Sequence, residues 1–175
     1  MKKIFKPLIC AILFIVMALS MTACANKPSY EVTAVAKSSG SFWSKPATSY
    51  VIYTQEQLQQ MLDELDAELG NKHNTEEWSL RTDDGTEITK EFFNESSLYF
   101  DSKALVVSVF YSPCLGATVT RHDLWKSTDT LHVEIDFTYN MLTAIETVMV
   151  IMKVDRNFVE DVTNVELALN DKQFI

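Results

Sequence analysis

The sequence predicts an α+β fold in which one amphipathic helix packs on a mainly antiparallel, strongly twisted sheet. Three observations carry this expectation. Leu131, Val133, Ile135, Phe137 and Tyr139 alternate without a fault with His132, Glu134, Asp136 and Thr138, the pattern of a half-buried strand. Two runs, Ala104 to Phe110 and Val148 to Val154, are apolar on both faces and read as buried strands. A single stripe of Leu58, Met61, Leu62, Leu65 and Leu69 has the spacing of one helical face.

In chain order, Lys2, Lys3 and Lys6 precede an apolar run from Pro7 to Leu19 and the small-residue step Ser20-Met21-Thr22-Ala23-Cys24. A basic start, a short apolar middle and a small-residue cleavage site make a secretory signal. The run is shorter than the roughly 20 apolar residues of a membrane span. A cysteine directly after the small cleavage-site residue marks a bacterial lipoprotein signal, although Met21 stands where Leu is preferred in such signals. The expected organisation is a signal peptide over residues 1–23, lipidation of Cys24, a tether over 24–29 and one extracytoplasmic α+β domain over 30–175.

Within that domain, Tyr30 to Ala36 alternates as a first strand, and Tyr50 to Tyr53 reads as a second. Thr54 with Gln57 three residues later is a capping box for the helix that follows, and Gly70 is its natural stop. The polar stretch from Asn71 to Asn94 turns at Asp83-Asp84-Gly85, with short strands on either side. Ala104 to Phe110 is the best central strand. Ala117 to Trp125 and Thr130 to Tyr139 form a hairpin across Lys126-Ser127-Thr128-Asp129. Pairing Trp125 with Thr130 would set Arg121 opposite Glu134 and Asp123 opposite His132, matching opposite charges. Thr143 to Val154 is a further buried strand, and Val165 to Leu169 a last edge strand.

Composition narrows the function classes. Without residues 1–23 the chain holds 12 basic and 24 acidic residues, a formal charge of −12. Such a surface repels nucleic acid and anionic headgroups, so a nucleic-acid partner is disfavoured and the lipid itself must be the anchor. Cys10 leaves with the signal and Cys24 is committed to a thioether, so Cys114 has no intramolecular partner and there is no disulfide framework.

Few residues invite chemistry. His132, Glu134 and Asp136 project from one strand face with residue types that ligate metals, yet alternating polar residues also describe any solvent-facing strand. The charge-paired face is the expected reading and a metal site the alternative. Cys114 shows no recognised spacing to His73, His122 or His132, so a small buried residue is expected there rather than a nucleophile. Four glycines in the whole chain leave no material for a phosphate loop or a serine elbow, and no cofactor is implied. No enzyme is expected. Phe42 and Trp43 either cover the edge of the core or, if exposed, join Trp78 and Pro113 as a contact site for a protein partner.

The order Tyr50-Val51-Ile52-Tyr53-Thr54, a helix with Leu58 and Leu62, Phe100-Asp101-Ser102-Lys103-Ala104-Leu105-Val106-Val107, a bend at Gly116 and a hairpin resembles the C-terminal domain of the protease-complex accessory protein PrcB. The resemblance covers most of residues 48 to 155 and rests on short apolar motifs. It departs from the pattern at Leu115-Gly116-Ala117 and in the insertion from Asn71 to Asn94. It implies a non-catalytic module that binds or stabilises another extracytoplasmic protein, such as a protease, and supplies no catalytic residues. The functional expectation is therefore a membrane-anchored lipoprotein with a partner-binding domain. The alternative is a small-molecule or metal-binding surface lipoprotein.

Overall fold

The computed structural model describes residues 27–39, 45–70, 79–96, 100–140 and 145–173. These form β1 (Tyr30–Ser39), β2 (Thr48–Ile52), α1 (Gln55–Leu65), a π-helical turn (Asp66–Gly70), β3 (Leu80–Thr82), β4 (Glu87–Ile88), α2 (Lys90–Ser96), β5 (Lys103–Ser112), β6 (Thr118–Ser127), β7 (Thr130–Tyr139), β8 (Glu146–Asp155), α3 (Arg156–Val159) and β9 (Asn164–Gln173). The fold is mostly β, broadly α+β, and largely antiparallel. Where one sheet was expected, the strands divide into two. A six-stranded sheet runs β2-β5-β8-β1-β3-β4, and a three-stranded sheet runs β6-β7-β9. The last pair, β7 with β9, is parallel.

β5 and β8 pair antiparallel over ten residues, from Lys103 opposite Asp155 to Ser112 opposite Glu146. Every residue from Ala104 to Phe110 is buried, as is every residue from Glu146 to Met152, because both faces of this sheet are covered. On one face Leu105, Val107, Val109, Met149 and Ile151 meet Leu58, Met61, Leu62 and Leu65 of α1 and Phe93 of α2. On the other, Val106, Phe110, Val148, Val150 and Met152 meet Leu124, Leu131, Val133, Ile135 and Phe137 of the second sheet. Each such side chain contributes roughly 1.5–3 kcal/mol by leaving water.

The capping box forms. The Thr54 hydroxyl accepts from the Gln57 N–H at 3.2 Å, while Gln57 reaches back to accept from the Tyr53 N–H at 2.9 Å. The helical stretch ends at Gly70, its last turn π rather than α. At the expected Asp83-Asp84-Gly85 turn, Gly85 takes φ +88° and joins β3 to β4. The Asp84 carboxyl accepts from the Thr82 hydroxyl and the Thr86 N–H, which pulls its pKa down to about 2. The helices α2 and α3, of seven and four residues, were not expected. Segments so short complete too few turns to show a 3.6-residue period.

The expected hairpin register is corrected. Ser127, not Trp125, pairs with Thr130, so Trp125 lies opposite His132, Asp123 opposite Glu134, and Arg121 opposite Asp136, with a bulge only past Arg121, between it and Val119. The strands run two residues further because the turn is only Thr128-Asp129, with Thr128 in the left-handed region at φ 53°. That conformation is unfavourable for a β-branched residue, and the sequence shows no Gly or Asn to announce it. A shift of two residues leaves every side chain on its face.

Asparagine tolerates this left-handed position. Thr128→Asn is therefore expected to raise unfolding stability by about 1 kcal/mol in a urea titration. A loss of stability would mean that this turn is not the one the chain adopts.

A candidate binding cleft and a paired polar face

At the rim of the two sheets lies a cleft of about 400 Å³ lined by Pro46, Ala47, Phe110, Tyr111, Pro113, Phe137, Leu169 and Asp171. Its residues come from the three strands β5, β7 and β9 and from two loops. Phe110 and Phe137 give it an aromatic floor, their rings 5.1 Å apart and tilted by 43°. Tyr111, next to Phe110 on β5, lines the cleft at its rim and is 51% exposed. Asp171 accepts from the Tyr139 hydroxyl at 3.3 Å. Partial removal from water, the Asp171 charge and that hydrogen bond raise the Tyr139 phenol above its ordinary range.

The loop that carries Pro113 is held from below. The Ser112 hydroxyl donates to the Cys114 carbonyl at 2.7 Å. Gly116 takes φ +76°, and a Cβ there would lie 3.4 Å from the Asn140 amide nitrogen. The next residue, Ala117, donates its N–H to the buried Glu146 carboxylate at 2.9 Å. Cys114 is a free thiol and half-buried rather than buried, because it sits in this loop and not in the sheet.

Of the expected contact residues, Pro113 lies on the cleft and is exposed. Phe42, Trp43 and Trp78 lie outside the described residues, as does Cys24. Tyr111 was missed, because it follows the apolar run of β5 and reads as its continuation. Leu169 and Asp171 were missed because nothing local places β9 beside the start of β2.

His132, Glu134 and Asp136 share one face, where His132 has its own partners and the two carboxylates share Asn170 and Arg121. The His132 ring stacks on Trp125 with centroids 5.1 Å apart and planes 8° apart. Its Nδ1 is 3.0 Å from Glu166 and its Nε2 is 2.6 Å from the Ser127 hydroxyl. Asn170 donates to Glu134 at 2.8 Å and to Asp136 at 2.9 Å. Arg121 lies 3.3, 3.9 and 3.8 Å from Asp123, Glu134 and Asp136. Among the described residues, no group of three or more His, Cys, Asp or Glu side chains is placed to hold a metal ion. His122 is held by the Tyr30 hydroxyl, 2.9 Å from its Nδ1.

Asp123 also binds Lys27, at 2.5 Å. The Lys27 hydrogen bond holds the Asp123 carboxyl below the usual range, helped by the Leu124 N–H, the Lys27 charge and Arg121, and opposed by partial burial. A carboxyl whose folded pKa is depressed adds stability that is present above its unfolded value, about 4, and is lost as pH falls through the folded value.

Compared with known proteins, the chain matches no family model, no curated protein and no solved structure. Its class is defined by the fold alone, an α+β domain of two packed sheets with a cleft at their rim.

Asp123→Asn should be less stable than the unchanged chain at pH 7 by up to about 1 kcal/mol, the scale of an exposed pair. Urea titrations should show that gap closing below about pH 4. A gap independent of pH would remove the Lys27–Asp123 pair from the account.

Proposed function

We propose that this chain is a bacterial lipoprotein held on the extracytoplasmic face of the cell membrane through acylated Cys24. Its domain is a non-catalytic module that binds or stabilises an extracytoplasmic protein partner, a protease being the kind of partner that the PrcB-like order of motifs implies. We infer as well that this domain is built as one amphipathic helix on a mainly antiparallel, strongly twisted sheet. That reading is supported by α1, which buries Leu58, Met61, Leu62 and Leu65 and turns Gln55, Glu56, Gln59, Gln60 and Asp63 outward.

The observation that carries the binding reading is Tyr111. A large aromatic side chain, 51% exposed beside Pro113 and a cleft with an apolar floor, has the make-up of an interface anchor. Two prolines at the rim, Pro46 and Pro113, stiffen the loops that a partner would meet and lower the entropy lost on binding. The signal from Lys2 to Cys24 supports the address.

A photoreactive amino acid placed at Tyr111 of the full-length acylated chain should give one discrete protein adduct in membranes, and the same group at exposed Glu87 on β4 should not. Tyr111→Ala should lower partner affinity about tenfold or more. Cys24→Ser should release the protein from the membrane fraction. Equal adducts from both positions, or none from Tyr111 with Cys24 acylated, would contradict the binding role of the cleft.

A further inference from the structure

The strand registers define two ends of the six-stranded sheet. Tyr30 begins β1 opposite Val154, and Lys103 begins β5 opposite Asp155, so the chain enters the sheet at this end. At the other end Ser39 and Ser112 both lie opposite Glu146. Nine strand steps at roughly 3.3 Å separate the ends by about 30 Å.

The entering chain is tied to the domain. Lys27 pairs with Asp123, and the Tyr30 hydroxyl contacts the His122 carbonyl at 3.0 Å. Cys24 is three residues before Lys27, so covalent geometry keeps its Cα within about 11 Å of that of Lys27. A lipid on Cys24 is therefore leashed to the entry end and cannot reach the far rim.

Charge and exposure follow the same axis. At the entry end Lys27, Lys103 and Arg156 pair with Asp123, Asp155 and Glu160, Lys153 stands opposite Glu31, and Asp101 is exposed in the turn before β5. Glu56 stands near this end too, since Ile52, just before α1, lies opposite Leu105, while Asp63, Glu64, Asp66 and Glu68 follow further along α1 and its π turn. The two large exposed hydrophobic residues among the described ones, Tyr111 and Ile145, are both at the far end. Had the domain lain with its apolar side chains toward the bilayer, these would have been at the entry end.

We infer that the domain sits on the lipid bilayer by its entry end, formed by Tyr30, Lys103 and Asp155, and holds the Tyr111 cleft about 30 Å or more from the headgroups, open to the extracytoplasmic space. This rests on the lipoprotein reading and deepens it. The leash sets the contact point, Lys27, Lys103 and Arg156 offset carboxylates that would otherwise repel anionic headgroups, and the strand length sets the height of the cleft. A partner then engages from the aqueous side and need not be a membrane protein.

The test uses the acylated full chain, extracted from membranes and placed in phosphatidylethanolamine and phosphatidylglycerol vesicles that carry a quencher on their headgroups. Two versions, both with Cys114→Ala, bear a fluorophore on Asp101→Cys in the turn before β5 or on Asn140→Cys beside Gly116. The inference expects quenching at least threefold stronger at position 101 than at 140. Equal or reversed quenching, with intact mass showing an acylated Cys24, overturns the orientation while leaving the anchor in place. An intact mass with a free Cys24 thiol overturns the anchor and the orientation together, so the two failures are distinguishable.

Discussion

The pairing of β5 with β8 holds the two apolar layers of this structure together. Ten consecutive residue pairs join them, and almost every side chain between their ends is buried. A strand covered on both faces must find an apolar layer on each side, and this pair finds α1 and α2 on one and the three-stranded sheet on the other. Truncating a member such as Phe110 would leave a cavity in the middle of that stack. Losses at such sites run to about 3–5 kcal/mol, a large share of what holds a domain of this size together.

The polar groups that mark the ends of this pair also position the candidate site. At the entry end Lys103 and Asp155 close the ladder with an exposed ion pair at 2.5 Å. At the far end Glu146 is buried at the start of β8 and accepts from the Ala117 N–H. A buried carboxylate without a partner would be costly, and here the partner is the backbone just beyond the Gly116 bend. The loop from Pro113 to Gly116 is thus fixed at both ends, by Ser112 on one side and Glu146 on the other. Tyr111 and Pro113 are displayed from a scaffold that cannot easily collapse around them.

Much of this was legible in local sequence because the signals were local. The alternation from Leu131 to Tyr139, the two-faced runs at Ala104 and Val148, and the Thr54–Gln57 box each report the environment of their own residues. The hairpin register was not legible, because it depended on a threonine accepting a left-handed conformation where glycine or asparagine is usual. The division into two sheets was hidden as well. It rests on β7 pairing in parallel with β9 across α3, and nothing in the sequence of β9 names its neighbour. The cleft gathers residues from Pro46 to Asp171, so it exists only once both sheets are in place. The polar face of β7 was legible as paired charge, though Asn170 and Glu166, which hold it, come from β9.

Native-state hydrogen exchange shows whether the β5–β8 pair is the last part of the molecule to open, since it reads how much must open before a given amide is freed. The amides of Leu105 to Phe110 and Val148 to Met152 should exchange only through global unfolding, with free energies equal to that from urea titration, while β3, β4 and β9 open at lower cost. If β5 and β8 exchanged through a local opening while β6 and β7 stayed protected, the buried pair would not be the element that holds the structure together.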